Sequence, residues 1–179
     1  VVPVVGVQGA GKSTLLTALC FDRPVLPVDA DETTAVPVEI VYGSPANPMA
    51  LVVFKDGRET RVAADEDGLK AFTHQACNPG NKLEVARVVV ESSAELLSSG
   101  MVLVDLPGLG SLTRANSDTT IGYLTQATAL LYLLRTVPPI TRSESVMLSL
   151  AWSQVPTVVF AQNRWTDETD DEVEAGKAH

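Results

Sequence analysis

Apolar and polar residues follow one another in short blocks, and the period of the pattern changes repeatedly along the chain. Val1-Val2-Pro3-Val4-Val5 is a β-branched run suited to a buried strand, and Thr14 to Leu19 favours a helix with Leu15, Leu16 and Leu19 along one stripe. Val38-Glu39-Ile40-Val41-Tyr42 alternates like a half-buried strand, after a proline-bearing stretch from Pro24 to Asp31. Leu51 to Phe54, the turn Lys55-Asp56-Gly57-Arg58 and Glu59 to Val62 read as a β-hairpin. Asp65 to Ala76 predicts a helix, weakened by Gly68, that stops at Asn78-Pro79-Gly80.

In the second half, Leu83 to Val90 predicts a strand, and Ser92 to Leu97 a short helix closed by Gly100. Met101-Val102-Leu103-Val104 is continuously apolar, as a central strand covered on both faces should be. A helix follows from Asp118 to Thr128, then a buried strand from Leu130 to Leu134. Thr141 and Glu144 form a capping box for a helix reaching Trp152, and Thr157 to Ala161 is a last strand. Strands alternating with helices predict an α/β fold: a mostly parallel central sheet with helices on both faces.

Composition narrows this picture. At 179 residues, 45% hydrophobic and 20% charged, the chain suits one well-buried domain. A net charge of −9 argues against a broad basic face, so no nucleic-acid partner is expected. Part of that charge is local, with six carboxylates between Asp167 and Glu174, read as a solvated segment. Cys20 and Cys77 lie in no metal-ligand spacing and read as free thiols in a reducing compartment. No apolar run approaches the ~18 residues of a membrane span.

The strongest chemical signal lies between the first strand and the first helix. Gly6-Val7-Gln8-Gly9-Ala10-Gly11-Lys12-Ser13 is a complete G-x-x-x-x-G-K-[ST] phosphate loop in its required context, which makes the fold a P-loop NTPase. A plain glycine turn is the alternative reading. In a working loop, backbone N–H groups from Gly6 through Thr14 converge on phosphate oxygens, and the helix dipole adds to them. Lys12 reaches the β- and γ-phosphates, and Ser13 offers its hydroxyl to Mg²⁺.

A second element is Asp105-Leu106-Pro107-Gly108 at the end of an apolar strand. Asp105 would act on Mg²⁺ directly or through water, and the Gly108 N–H can meet the γ-phosphate. Thr33 and Thr34, between the first helix and the next strand, are candidates for a switch threonine that closes over the metal; β propensity explains them equally well. The long interval from Lys12 to Asp105 exceeds that of small switch proteins.

Together these pieces resemble the GTPase domain of the dynamin superfamily, particularly the bacterial dynamin-like proteins. The resemblance runs from Val1 to about Thr166. It rests on the P-loop with Gln8, Thr33-Thr34-Ala35-Val36-Pro37, Asp105-Leu106-Pro107-Gly108-Leu109, Gly122-Tyr123-Leu124, and Val158 to Trp165. It implies binding of GTP and GDP with Mg²⁺. It also implies that Gln8 places the attacking water, that Thr34 is the switch threonine, and that Ser13, Thr34 and Asp105 hold the metal. Asn163, Arg164 and Asp167 would then read the guanine.

Two positions depart from the family pattern. Gly9 stands where dynamins usually carry a serine that orders a charge-compensating cation. Asn163-Arg164-Trp165-Thr166 stands where [NT]-K-x-D is usual, with Asp167 one residue late. Either Asp167 reaches the base through a loop distortion, or guanine selectivity is weak.

The resemblance further implies a homodimer, or pairing with a related dynamin-like paralogue, through the nucleotide face. The membrane would be reached through regions missing from this chain. Residues 1–179 are thus expected to be a C-terminally truncated GTPase domain of a cytoplasmic protein that is peripherally membrane-associated at full length. Two other functions remain open: a nucleotide-gated binding module with little turnover, and a P-loop ATPase.

Overall fold

In the computed structural model, residues 1–28, 36–43, 48–107, 114–135, 142–164, 169 and 171 are described. Thr33, Thr34, Gly108, Thr141, Thr166 and Asp167 lie outside the described residues.

The first strand, β1 (Val2–Val5), runs into the glycine loop and then α1 (Lys12–Cys20). Next come β2 (Val38–Tyr42) and the hairpin of β3 (Met49–Phe54) and β4 (Glu59–Ala63). Helix α2 (Glu66–Thr73) starts on Asp65, whose side chain accepts from the Gly68 N–H, an N-cap contact. β5 (Val85–Ser92), β6 (Leu103–Asp105), α3 (Arg114–Gln126), β7 (Leu130–Arg135), α4 (Arg142–Gln154) and β8 (Val158–Asn163) complete the chain order.

All eight strands join one sheet in the order β4-β3-β5-β2-β6-β1-β7-β8. The half around β1 is parallel, with β6 and β7 on its two sides and β8 beyond β7. β2 pairs antiparallel with β6 and parallel with β5, and the β3–β4 hairpin continues the sheet antiparallel. The expectation of a mostly parallel sheet therefore holds.

Alternating side chains of the central strands feed two cores. On one face Val4, Leu103 and Ile40 pack with Leu16 and Cys20 of α1 and Leu69 of α2. On the other, Val5, Val104 and Tyr132 pack with Leu124 of α3, Ala151 of α4 and Val155 just beyond it. Burial on both faces explains why these strands read as unbroken apolar runs.

Several boundaries differ from expectation. Leu19 is 45% exposed, because the inward side of α1 is Leu16 and Cys20, one turn apart. The strand expected from Leu83 starts at Val85. Asn78 Oδ1 accepts from the Leu83 N–H and Asn81 Oδ1 from the Val85 N–H, which spends on a side-chain-built loop the donors a ladder would need. The segment expected to be a short helix after Ser92 is a single 3₁₀ turn, Glu95–Leu97. Helix α3 begins at Arg114, earlier than Asp118. Helix α2 ends at Thr73, and His74 is extended.

Candidate functional site

The parallel half of the sheet sends the C-terminal ends of β1, β6, β7 and β8 to one edge, where an open α/β sheet holds its ligand. The glycine loop leaves β1 there and enters α1 through Gly11. Gly9 and Gly11 both have left-handed backbones, with φ of 71° and 91°. Those angles turn the chain tightly enough to present successive N–H groups to an anion.

Lys12 is 7% exposed. Its Nζ donates to the Gly6 carbonyl at 3.2 Å and the Val7 carbonyl at 3.1 Å, so the ammonium is folded back over the loop it serves. Burial pushes its pKa down, while the charges of Asp105 and Glu144 pull it up. Glu144 lies in the first turn of α4 and is 1% exposed. Read from sequence only as half of a capping box, it also places a negative charge within electrostatic reach of the P-loop lysine; its expected partner Thr141 is outside the described residues.

Ser13 and Asp105 come together from α1 and the end of β6. The Ser13 hydroxyl donates to Asp105 Oδ2 at 2.5 Å. Asp105 Oδ1 is buried with no hydrogen-bond partner. Desolvation raises the Asp105 pKa, opposed by the Lys12 charge and the Ser13 hydrogen bond. An oxygen pair with one buried lone-pair donor unspent fits a Mg²⁺ site, because this ion keeps several waters and takes few protein oxygens. Among the described residues no group of three or more His, Cys, Asp or Glu is arranged to hold a metal. Ser13 and Asp105 are the described residues that would hold the ion.

The distant stretch expected to read the guanine also reaches the loop. Asn163, last residue of β8, donates from Nδ2 to the Ala10 carbonyl at 3.0 Å. It touches Gly11 so closely that a Cβ there would sit 2.5 Å from its Nδ2. Arg164 follows it, exposed. Gln8 is partly exposed at the loop's turn and Gly9 is exposed. The structure thus gathers Gly6, Gln8, Gly9, Ala10, Gly11, Lys12, Ser13, Thr14, Asp105 and Asn163 at one edge, with Arg164 adjoining.

Comparison with known proteins fits this geometry. The model of the dynamin family matches residues 2–159. The chain belongs to the dynamin family. It is 30% identical over 172 residues to the bacterial dynamin-like protein of Nostoc punctiforme, covering 90% of this chain and 24% of that one. It is 31% identical over 144 residues to the isoniazid-induced protein IniA of Mycobacterium tuberculosis, covering 80% of this chain and 22% of the relative.

Among solved structures, a chain of an oligomerised bacterial dynamin pair, described as a mechanism for long-range sensing and tethering of membranes, aligns with a TM-score of 0.67. That alignment has 19% identity and covers 99% of this chain and 27% of the other. Era of Aquifex aeolicus bound to GDP.AlF4− aligns at 0.54 with 14% identity, over 99% of this chain and 44% of that one. The dynamin-family chain thus shares the fold of both structures. It spans between 22% and 41% of the length of the curated relatives it matches. No helix among the described residues is long and apolar enough to cross a membrane.

Proposed function

We propose that this dynamin-family domain binds GTP with Mg²⁺ and hydrolyses its β–γ phosphoanhydride, and that pairing of two nucleotide faces drives the step. The observation that carries this reading is the Ser13–Asp105 contact beside a buried Lys12. These are the metal and phosphate groups that phosphoryl transfer needs, brought together from residues 92 positions apart.

Within the site, the loop N–H groups and Lys12 hold the β- and γ-phosphates. Ser13 and Asp105 would hold Mg²⁺, which would neutralise charge on the phosphate oxygens. Gln8 orients the water that attacks the γ-phosphorus; the bond to the bridging oxygen breaks, and GDP, phosphate and a proton leave. Thr34 would close over the metal site, and the Gly108 N–H would meet the γ-phosphate. Asn163 braces the loop through Ala10, and Arg164 and Asp167 contact the base.

Gln8 is partly open to solvent in one copy, so a partner across the nucleotide face would exclude water and strengthen these contacts. That partner is a second copy or a related paralogue. In the full-length protein, pairing would be coupled to membrane remodelling through regions outside this chain, from a peripheral, cytoplasmic position.

Phosphate release from GTP and from ATP, measured over a wide range of enzyme concentration, tests the reading. GTP turnover whose specific activity rises with concentration is expected. Flat specific activity would remove the pairing step. GTP binding without phosphate release would make the domain a nucleotide-gated binding module, and equal use of ATP would remove the guanine preference.

A further inference from the structure

β7 ends on Arg135, between the strand that delivers the P-loop and the strand that delivers Asn163. Its register partner is Asn163 itself. Strand alternation puts Arg135 on the same face as Leu133. Leu133 packs with Val7 and Ala10, and its carbonyl lies against Gly6. The guanidinium stem therefore leaves the sheet on the loop's side, at the ligand edge. Arg135 is half-buried, its Nε is fully buried, and that N–H has no hydrogen-bond partner.

A buried cationic donor without an acceptor is costly, so such a group marks a place where something else binds. The charge of the site says what. Asp105 and Glu144 already bring two carboxylates within reach of Lys12, and Lys12 spends two of its three N–H donors on the Gly6 and Val7 carbonyls. A polyphosphate entering here shares Lys12 with these carboxylates, so a further cationic donor adds to what Lys12 and Mg²⁺ supply, and Gly9 contributes no hydroxyl. A planar guanidinium is suited to phosphate oxygens.

We propose that Arg135 is a second cation of the nucleotide site, donating from its guanidinium to phosphate oxygens of the bound nucleotide. This rests on the GTP-binding reading above. It gives the domain an internal arginine outside the P-loop, held by the sheet edge and not by a flexible loop.

The test is the affinity of the full-length protein for GTP and for ATP, each competed against a fluorescent GDP analogue. Arg135→Met keeps the stem and removes the donors. It should weaken both nucleotides by a similar factor, roughly 10- to 100-fold, as loss of a charge-assisted hydrogen bond does. A loss confined to GTP would mean a contact to the base and would overturn the proposal. So would unchanged affinities.

Lys12→Ala, measured alongside, separates the two readings. If it binds as tightly as the parent, the nucleotide site itself is wrong; if it loses binding while Arg135→Met does not, only Arg135 is removed. Should Arg135→Met fail to fold, Arg135→Lys carries the test. Without the planar fork it should still bind both nucleotides several-fold more weakly, and parent-level affinity would overturn the assignment.

Discussion

The Tyr123 hydroxyl on α3 donates a 2.6 Å hydrogen bond to Glu39 Oε1 on β2, across 84 residues of sequence. Glu39 also pairs with Arg87 on β5 at 3.4 Å, so one carboxylate ties together a helix and two strands. β2 follows the segment that carries Thr34, and α3 follows the segment that carries Gly108. The bond therefore joins the elements downstream of the two stretches proposed to sense the nucleotide. Tyr123→Phe should cost about 1 kcal/mol, since the bond is only partly buried and Glu39 keeps Arg87. Urea unfolding of the variant and parent measures it, and an unchanged midpoint would make the contact energetically idle.

Lys12→Ala should leave the domain folded but blind to nucleotide. At a ligand concentration of about 100 times Kd, the parent gains about 2.7 kcal/mol of stability from GTP–Mg²⁺. The variant should gain almost none, because the ammonium over the loop is gone. Thermal melts with and without nucleotide check this. A variant still stabilised as strongly as the parent would refute the role given to Lys12.

Asp105 carries a trade-off between stability and binding. Burial raises its pKa, and Lys12 and Ser13 only partly oppose this. An acid whose folded pKa lies above its unfolded value adds stability below the unfolded pKa and loses it as pH rises through the folded one. The charge on Asp105 thus costs the nucleotide-free fold wherever the folded group is ionised. Asp105→Asn should raise the melting temperature without ligand while abolishing the gain from GTP–Mg²⁺. A lower melting temperature without ligand would show that the pull of Lys12 outweighs desolvation.

The two thiols should separate sharply. Burial pushes the Cys20 pKa up to about 11, and its side chain faces the core, whereas Cys77 is exposed. At pH 8, Cys20 is a thiol and shielded, so a thiol reagent should modify one cysteine quickly and the second only on unfolding. Two fast equivalents in the native protein would contradict the packing of the C-terminal end of α1.

Placement at the sheet edge was legible in the sequence wherever one short segment carries it. The glycine loop, Asp105 at the end of its strand and Asn163 in the guanine stretch all stand at one sheet edge. What escaped depends on tertiary neighbours. The stripe through Leu19 failed because α1 starts at Lys12 and its inward side is fixed by the sheet beneath Leu16 and Cys20. Arg135 was missed because β7 was ended at Leu134; an apolar strand finishing on an arginine beside a P-loop strand was the available signal. The Tyr123–Glu39 bond leaves no pattern in either segment alone.

Gly9 and Gly11 offer a paired test of how the loop and the guanine stretch communicate. Both have positive φ, so alanine at either position carries about 1–2 kcal/mol of backbone strain. Their surroundings differ. A Cβ at Gly9 meets nothing within 4 Å, while one at Gly11 lies 2.5 Å from Asn163 Nδ2. Gly11→Ala must therefore displace the side chain that holds the Ala10 carbonyl, and Gly9→Ala need not. Gly11→Ala should lose about 1 kcal/mol more stability than Gly9→Ala in denaturant titrations, for the lost hydrogen bond, and should weaken GTP binding far more; Asn163→Ala should reproduce part of both losses. If Gly9→Ala loses affinity as severely as Gly11→Ala, the loop's own conformation controls binding and the brace from Asn163 does not.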